Sequence, residues 1–357
     1  MSHTRRAISF LPTTAVLEMT YQCNHRCLFC SCPWMAEDGA FVKGEELSTD
    51  QWKSVLDLLS RKGIQNICFT GGEALLRSDL PQIMEYAAQL KVQIIKEEAG
   101  QLVDKTASPQ LYLLSNGTFV DDIVLDRCKK YHVQLSVSMP GLSAFSELTG
   151  GGDVNKILRL FGKARDKGLS TVVGVTVTKK NLFELYETIS AAFLAGATQL
   201  LLNRFLYGGR GRRYARELSL SREELTEMLD VAEQALKDAG RYGSVGTEIP
   251  LCLFRPEKYQ RLDMSTGCSA AKGFFVIGPS GKVRVCNHSQ VELAHYSGID
   301  TLKTDSYWMK FVQSDYLPTM CAGCHDIGRC AGGCREAAHI NAGAIDAPDA
   351  FFIKEGG

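Results

Sequence analysis

The chain has 357 residues, 45% hydrophobic and 22% charged, a length and composition for one large α/β domain plus a smaller one. Its 40 basic and 40 acidic residues cancel, so no basic field points to nucleic acid or an anionic membrane as partner, and no apolar stretch suggests a signal peptide or a membrane span. The 13 cysteines are odd in number and clustered at short spacings, which reads as metal ligation in a reducing cytoplasm rather than a disulfide scaffold.

Thr14 to Met19 reads as a first strand, followed at once by Cys23, Cys27 and Cys30. Ser48-x-x-Gln51 is a capping box for a helix whose Trp52, Val55, Leu56 and Leu59 share one face, with Gly63 as its stop. Ile64–Thr70 is a second strand ending in Gly71-Gly72-Glu73, and Pro81 opens a helix through about Leu90. Gln93 to Pro109 is polar and unpatterned and reads as a surface insertion. Leu111–Ser115 and Val133–Ser138 are further strands, ending in Asn116-Gly117-Thr118 and Met139-Pro140-Gly141. A helix from about Val154 to Lys167 leads to the strand Thr171–Thr178, and a helix from Asn181 to about Leu194 leads to the strand Gln199–Phe205. The basic, glycine-rich run Tyr207–Arg213 is either a solvated linker or a substrate contact. Ser221-x-x-Glu224 caps a long helix to about Ala239. Apolar strands alternating with amphipathic helices predict a parallel sheet with right-handed crossovers, here an open, TIM-like (β/α)6 partial barrel with its chemistry at the C-terminal strand ends. The expected division is a barrel over 1–215, a bridging helix over 216–250 and a small cysteine-rich domain over 251–357.

The spacing C-x3-C-x2-C of Cys23, Cys27 and Cys30 supplies three thiolates from one loop. A four-iron cluster normally takes four. Three leave one iron open, as a catalytic zinc site is left open for substrate. A zinc knuckle completed by His25 or Cys32 is the alternative on spacing alone. With Phe29 before the last cysteine, the loop resembles the signature of radical S-adenosylmethionine (SAM) enzymes. That resemblance implies a [4Fe–4S] cluster whose open iron chelates SAM and whose electron cleaves it to a 5′-deoxyadenosyl radical, with Phe29 against the adenine. Gly71-Gly72-Glu73 resembles the family's Gly-Gly-Glu motif for the SAM ammonium, although Ala74 replaces the usual proline. Ser138 stands where relatives carry a ribose-binding serine, in a run Ser138-Met139-Pro140-Gly141 that lacks their aspartate. Asn116, Thr176 and Asn181 are further SAM-pocket candidates. Cys68 and Cys128 read as buried structural thiols and Cys32 as a bystander.

Cys252, Cys268, Cys286, Cys321, Cys324, Cys330 and Cys334 form a second field. The run Cys268-x12-Gly281-x4-Cys286, then Cys321-x2-Cys324-x5-Cys330-x3-Cys334, resembles the SPASM extension of radical SAM enzymes, with a β-hairpin around Pro279-Ser280-Gly281. The resemblance implies one or two auxiliary iron–sulfur clusters that relay electrons. Its interleaved pattern assigns Cys252, Cys268, Cys286 and Cys334 to the nearer one and Cys321, Cys324 and Cys330 to the outer one. No cysteine follows Cys334, so the outer cluster would take His339, Asp346 or Asp349, stay open, or be smaller; a zinc ribbon is the alternative. The leading function is maturation of a ribosomally made precursor peptide, oxidising it or closing a thioether or carbon–carbon crosslink. The rivals are a small-molecule SPASM oxidoreductase making a cofactor or sugar, a sulfatase-maturing enzyme (disfavoured by Asn287 after Cys286, where that branch has an aspartate), and a non-catalytic iron–sulfur scaffold. Fewer than 15 residues precede the first strand, so a maturase here would need a separate leader-peptide-binding protein or would hold a short leader itself, with a flavodoxin- or ferredoxin-type reductant as the other expected partner. His288, Asn203, Arg204 and Tyr207 are candidates to face the substrate.

Overall fold

The computed structural model describes residues 10–98 and 101–352. Its first strand, β1 (Thr14–Glu18), is followed by α1 (Thr49–Arg61), β2 (Asn66–Thr70) and α2 (Leu80–Gln89). Ser48 and Gln51 cap α1 reciprocally as the sequence predicts, and Trp52, Val55, Leu56 and Leu59 are its buried face. The segment expected as an unpatterned insertion instead holds β3 (Val92–Glu98) and β4 (Gln101–Ala107), paired antiparallel from Val92↔Ala107 to Glu98↔Gln101 in a sheet of their own. The adjacent Ile94 and Ile95 break the period-2 alternation, which removes the signal a strand reading depends on.

The βα units then continue through β5 (Gln110–Ser115), α3 (Asp122–Lys130), β6 (Val133–Ser138), α4 (Phe145–Thr149), α5 (Val154–Asp166), β7 (Thr171–Val177), α6 (Leu185–Ala195) and β8 (Gln199–Arg204). The six barrel strands lie in the order β8-β7-β6-β5-β2-β1, every pair parallel, so each neighbours its successor in the barrel. That order is what short right-handed crossovers produce. Helices α7 (Ala215–Leu218) and α8 (Arg222–Asp238) follow, the latter with the expected Ser221–Glu224 capping box.

Both edges of this open sheet are covered by the C-terminal part of the chain. Beside β8 lie β9 (Gly243–Val245) and β10 (Leu262–Met264), both parallel. On the other edge β11 (Phe274–Ile277) pairs parallel with β1, and β12 (Val283–Arg284) folds back antiparallel as the expected hairpin. The hairpin therefore joins the barrel sheet rather than forming a second one, and with β9 and β10 brings it to ten strands. Phe275, Ile277, Val283 and Val285 join Leu17 and Met19 in one continuous apolar core, and this shared burial fixes the hairpin to the barrel. Helices α9 (Ser306–Gln313), α10 (Ile327–Cys330) and α11 (Arg335–Ala342) complete the cysteine-rich part. No helix among the described residues is long and apolar enough to cross a membrane.

Candidate active site

The C-terminal ends of the barrel strands open into a cavity of about 470 Å³. Thr70, Ser115, Ser138, Thr176 and Asn203 reach it from five strands, and Cys23, Cys27, Cys30 and Phe29 line it from the loop after β1. Several contacts hold that loop. Arg26 and Leu28 donate backbone N–H to Thr149 O (3.0 Å) and Leu148 O (2.9 Å) of α4. From the other side, the segment after β8 coils into a 3-10 turn, Gly209–Tyr214. Gly211 N donates to Cys30 O (3.0 Å), and Arg210 Nη1 donates to Cys27 O (3.3 Å). The basic, glycine-rich run is thus not a free linker: it is a clasp on the cysteine loop. Its glycines are needed, since a Cβ on Gly209 (φ +47°) would stand 2.6 Å from Cys30 O.

Gly71-Gly72-Glu73 is stitched to the root of the same loop, with Gly72 N on Thr20 O (2.9 Å) and Glu73 N on Gln22 O (2.8 Å). Gly71 has φ +141°, which residues with a side chain rarely adopt, and a Cβ on Gly72 would meet the Gln22 carbonyl carbon at 2.6 Å and Cys23 Cβ at 3.2 Å. Glu73 is buried; its carboxylate accepts from Ser115 Oγ (3.0 Å), Leu75 N (3.2 Å) and Asn116 N (2.8 Å) while still lining the cavity. Burial pushes this carboxyl above its ordinary range, against the pull of those donors. A cation placed beside it would offset that cost of burial. Asn116 lines the cavity and bonds Asn24 Oδ1 (2.8 Å), tying the end of β5 to the cysteine loop.

The thiols themselves are unpaired by disulfides. Burial pushes Cys23 and Cys27 up, whereas the hydrogen bond from Cys32 brings Cys30 down to about 7. Cys32, expected as a bystander, lies in the cavity wall with its Sγ 3.9 Å from Gly71 O. Among the described residues, no three His, Cys, Asp or Glu side chains stand close enough together to hold a single metal ion. The donor set fits a larger group: three thiols around the mouth of a cavity, backed by glycines where a side chain would intrude.

Four expected residues need correction or qualification. Asn181 is buried outside the cavity wall, and its amide is spent on the exit of β7: Nδ2 donates to Pro140 O (2.7 Å) and Thr176 O (2.9 Å), and Oδ1 accepts from Thr178 N (2.7 Å). It shapes the pocket from behind the wall. Tyr207 faces a neighbouring cavity of about 280 Å³ with Lys179 and Arg222, where its hydroxyl accepts from Ser219 Oγ (2.7 Å). Arg204 does line the main cavity, but its guanidinium is committed to Asp349 Oδ2 (2.6 Å) and Glu248 O (3.0 Å) in a buried network that also takes Cys334 N–H (3.0 Å). The turn that carries Cys252 is tied to Cys330, a cysteine expected in the other cluster. The Cys252 thiol is pushed up by burial and then by Cys330, Cys321 and Cys324, and Leu251 N donates to Cys330 Sγ (3.3 Å). Cys286 and Cys334 are both buried, and burial pushes both thiols up. Of the substitutes expected for an outer ligand, Asp349 is held by Arg204, and His339 Nδ1 bonds Tyr307 Oη (3.2 Å) beside Glu336.

The cysteine-rich part nonetheless reaches the cavity. Asn287 and His288, directly after Cys286, line the wall together with Asn203. Burial brings His288 down to about 4, so its ring is neutral at ordinary pH and its Nδ1 stands 3.6 Å from Cys286 Sγ. Sequence reasoning missed Glu184. Its carboxylate accepts from Leu142 N (2.8 Å), Ser143 N (2.8 Å), Ser143 Oγ (2.6 Å) and Ala144 N (3.0 Å), clamping the loop after β6 that carries Pro140 and Phe145 into the cavity wall. Gly246 and Thr247, after the unforeseen β9, were missed as well.

A parallel βα sheet whose strand ends hold three cysteines against a Gly-Gly-Glu turn is the architecture of radical SAM proteins. Residues 17–192 match the model described as Radical SAM superfamily. Over nearly its whole length it is similar to proteins named PqqA peptide cyclase. That of Granulibacter bethesdensis is 24% identical over 354 residues, 95% of this chain and 86% of the relative. That of Xanthomonas campestris pv. campestris is 26% identical over 337 residues, 91% of this chain and 82% of the relative. Among solved structures, Streptococcus suis SuiB bound to S-adenosylmethionine has a TM-score of 0.70 at 14% identity, covering 95% of this chain and 76% of that one. The structure titled native anSMEcpe with bound AdoMet has a TM-score of 0.69 at 16% identity, covering 95% and 93%. The family brings a [4Fe–4S] cluster and SAM as cofactors, and the donor set described above suits both.

Proposed function

We propose that the chain is a peptide-modifying radical SAM enzyme that abstracts a hydrogen atom from a precursor peptide and closes a crosslink within it. The carrying observation is one cavity lined by Cys23, Cys27 and Cys30 and, from the cysteine-rich part, by Asn287 and His288. Similarity to peptide cyclases along 91–95% of the chain supports a peptide over a small molecule, and ring closure over oxidation alone.

Cys23, Cys27 and Cys30 would hold the cluster; with SAM on its open iron and one electron, it supplies a 5′-deoxyadenosyl radical. Glu73 receives the ammonium of SAM, and the bare backbones of Gly71 and Gly72 let the ligand and the Cys23 loop approach each other. Phe29, Ser138, Asn116 and Thr176 form the nucleoside side of the pocket. Neutral His288 can accept the proton that the partner group gives up as it bonds to the carbon that lost its hydrogen atom. The cysteine-rich field takes up the electron released in that oxidation, which keeps the balance at one hydrogen atom, one proton and one electron. A low-potential flavodoxin or ferredoxin supplies the starting electron, and a separate protein presents the peptide's leader.

The test is anaerobic incubation of the reconstituted, reduced protein with SAM and the short peptides encoded beside its gene. Mass spectrometry should show one peptide lighter by a pair of hydrogen atoms, with a new crosslink by fragmentation. Formation of 5′-deoxyadenosine with every peptide left unmodified, and a small metabolite consumed instead, would refute the peptide assignment.

A further inference from the structure

The clasp on the cysteine loop is rich in arginine, and its arginines are spent in different ways. Arg212 pairs with Asp38, and Arg213 pairs with Glu37 at 3.1 Å, all four being exposed side chains. Arg210 has no such partner. Among the described residues no carboxylate forms an ion pair with it, and two other groups fix its guanidinium. Nη1 donates to Cys27 O (3.3 Å), and Nη2 lies 3.7 Å from Met35 Sδ. The side chain is half-buried and stands outside the wall of the reaction cavity, in a separate surface cleft of about 280 Å³. That cleft sets Arg210, Arg212 and Arg213 against Glu37 and Asp38, so one positive charge is left over. The uncompensated one is the charge bonded to the cysteine loop.

We propose that Arg210 is a positioning residue that raises the reduction potential of the cluster held by Cys23, Cys27 and Cys30. Taking up an electron adds one negative charge to a centre already bound by three thiolates. A cation fixed beside the loop stabilises that state more than the oxidised one, so the electron is accepted from a weaker donor. Half-burial limits the screening that an exposed arginine would suffer. Arginine suits the task because it keeps its charge at every working pH, and its two arms hold it in one place. The inference rests on the reading of the loop as a cluster ligand and is independent of what the enzyme modifies.

The experiment is a redox titration of the full chain, anaerobically reconstituted and followed by electron paramagnetic resonance. The loop's cluster is the signal that changes when SAM is added and is missing when Cys23, Cys27 and Cys30 are alanine. Arg210→Gln keeps an N–H donor for Cys27 O and drops the charge. At a fixed potential its ratio of reduced to oxidised cluster should fall about tenfold, equivalent to about 59 mV for one electron. Arg210→Lys keeps the charge and should titrate close to wild type. Met35→Glu leaves the arginine and its bond to Cys27 in place but sets a carboxylate beside the guanidinium. It should move the potential in the same direction as Arg210→Gln, and Met35→Gln should not. The Met35 pair decides the matter if Arg210→Gln assembles no cluster. Equal potentials in wild type, Arg210→Gln and Met35→Glu would overturn the proposal. So would an Arg210→Lys potential displaced as far as that of Arg210→Gln, because the cause would then be geometry and not charge. A wild type without any SAM-sensitive signal would defeat the cluster reading itself, and the proposal with it.

Discussion

Arg284 and Glu18 form a buried ion pair between the hairpin strand β12 and the end of β1, with side-chain exposures of 1% and 3%. Arg284 Nη1 also donates to Ser289 O (2.7 Å) and Asn287 O (3.3 Å), and its guanidinium lies 5.8 Å from the rings of Trp34 and Phe41. The pair thus joins the strand that leads to Cys23 with the turn that leads from Cys286 to His288. Replacing Arg284 with Met leaves Glu18 buried without its counter-ion, a change that costs about 3–5 kcal/mol in proteins generally. The double variant Glu18→Leu/Arg284→Met should recover most of that loss, because a buried pair exchanged for apolar residues is often near neutral. Denaturant unfolding of the two single variants and the double should therefore give a coupling energy of at least about 2 kcal/mol. The pH dependence has a definite sign. Burial already holds Glu18 above its ordinary value despite the pull of Arg284, and removing the arginine raises it further. A carboxyl raised in the folded state favours folding below its unfolded value of about 4.3, and that advantage is lost as pH rises through the folded value. The deficit of the Arg284→Met variant should be smallest near pH 4 and widest at neutral pH. A coupling energy within about 0.5 kcal/mol of zero, or a deficit independent of pH, would refute the reasoning.

Gly72→Ala should lower SAM cleavage by about 100-fold, equivalent to the roughly 1–3 kcal/mol of strain typical of an overfilled site, because its Cβ would strike the Gln22 backbone and crowd Cys23; release of 5′-deoxyadenosine measures it. Glu184→Gln should cost about 2–3 kcal/mol of stability, since an amide cannot accept from all four donors that meet there. Burial would raise Glu184, but bonds from Ser143, Ala144 and Leu142 outweigh it and hold the carboxyl below its ordinary value. Its contribution is therefore present above the unfolded value and lost as pH falls through the folded one, and thermal melts of wild type and variant should converge in acid. Cys334→Ala should retain SAM cleavage while losing crosslinked product; equal product from variant and wild type would contradict a role for the inner cysteines.

The barrel was readable because each of its six strands is an apolar run ending in a polar turn, with capped amphipathic helices between them. The cysteine loop was readable from its spacing, which is local. Contacts between distant segments were not. Nothing in Gly208–Arg213 says that it closes over Cys30, nor in the three-residue strands β9 and β10 that they extend the sheet beyond β8. Asn181 and Arg204 have the chemistry of ligand contacts, and only the structure shows the internal hydrogen bonds that engage them. Glu184 lies in an ordinary helical stretch, and its four donors come from residues some 40 positions earlier. The neighbours of Cys252 were equally hidden, since Cys330 is 79 positions away from the Leu251 amide that binds it.

The most direct measurement is the yield of 5′-deoxyadenosine from SAM by the anaerobically reconstituted, reduced protein, beside the variant with Cys23, Cys27 and Cys30 all replaced by alanine. Wild type should contain iron and sulfide and release the nucleoside, and the variant should release none above background. Zinc in place of iron and sulfide, or equal release from both proteins, would contradict the account.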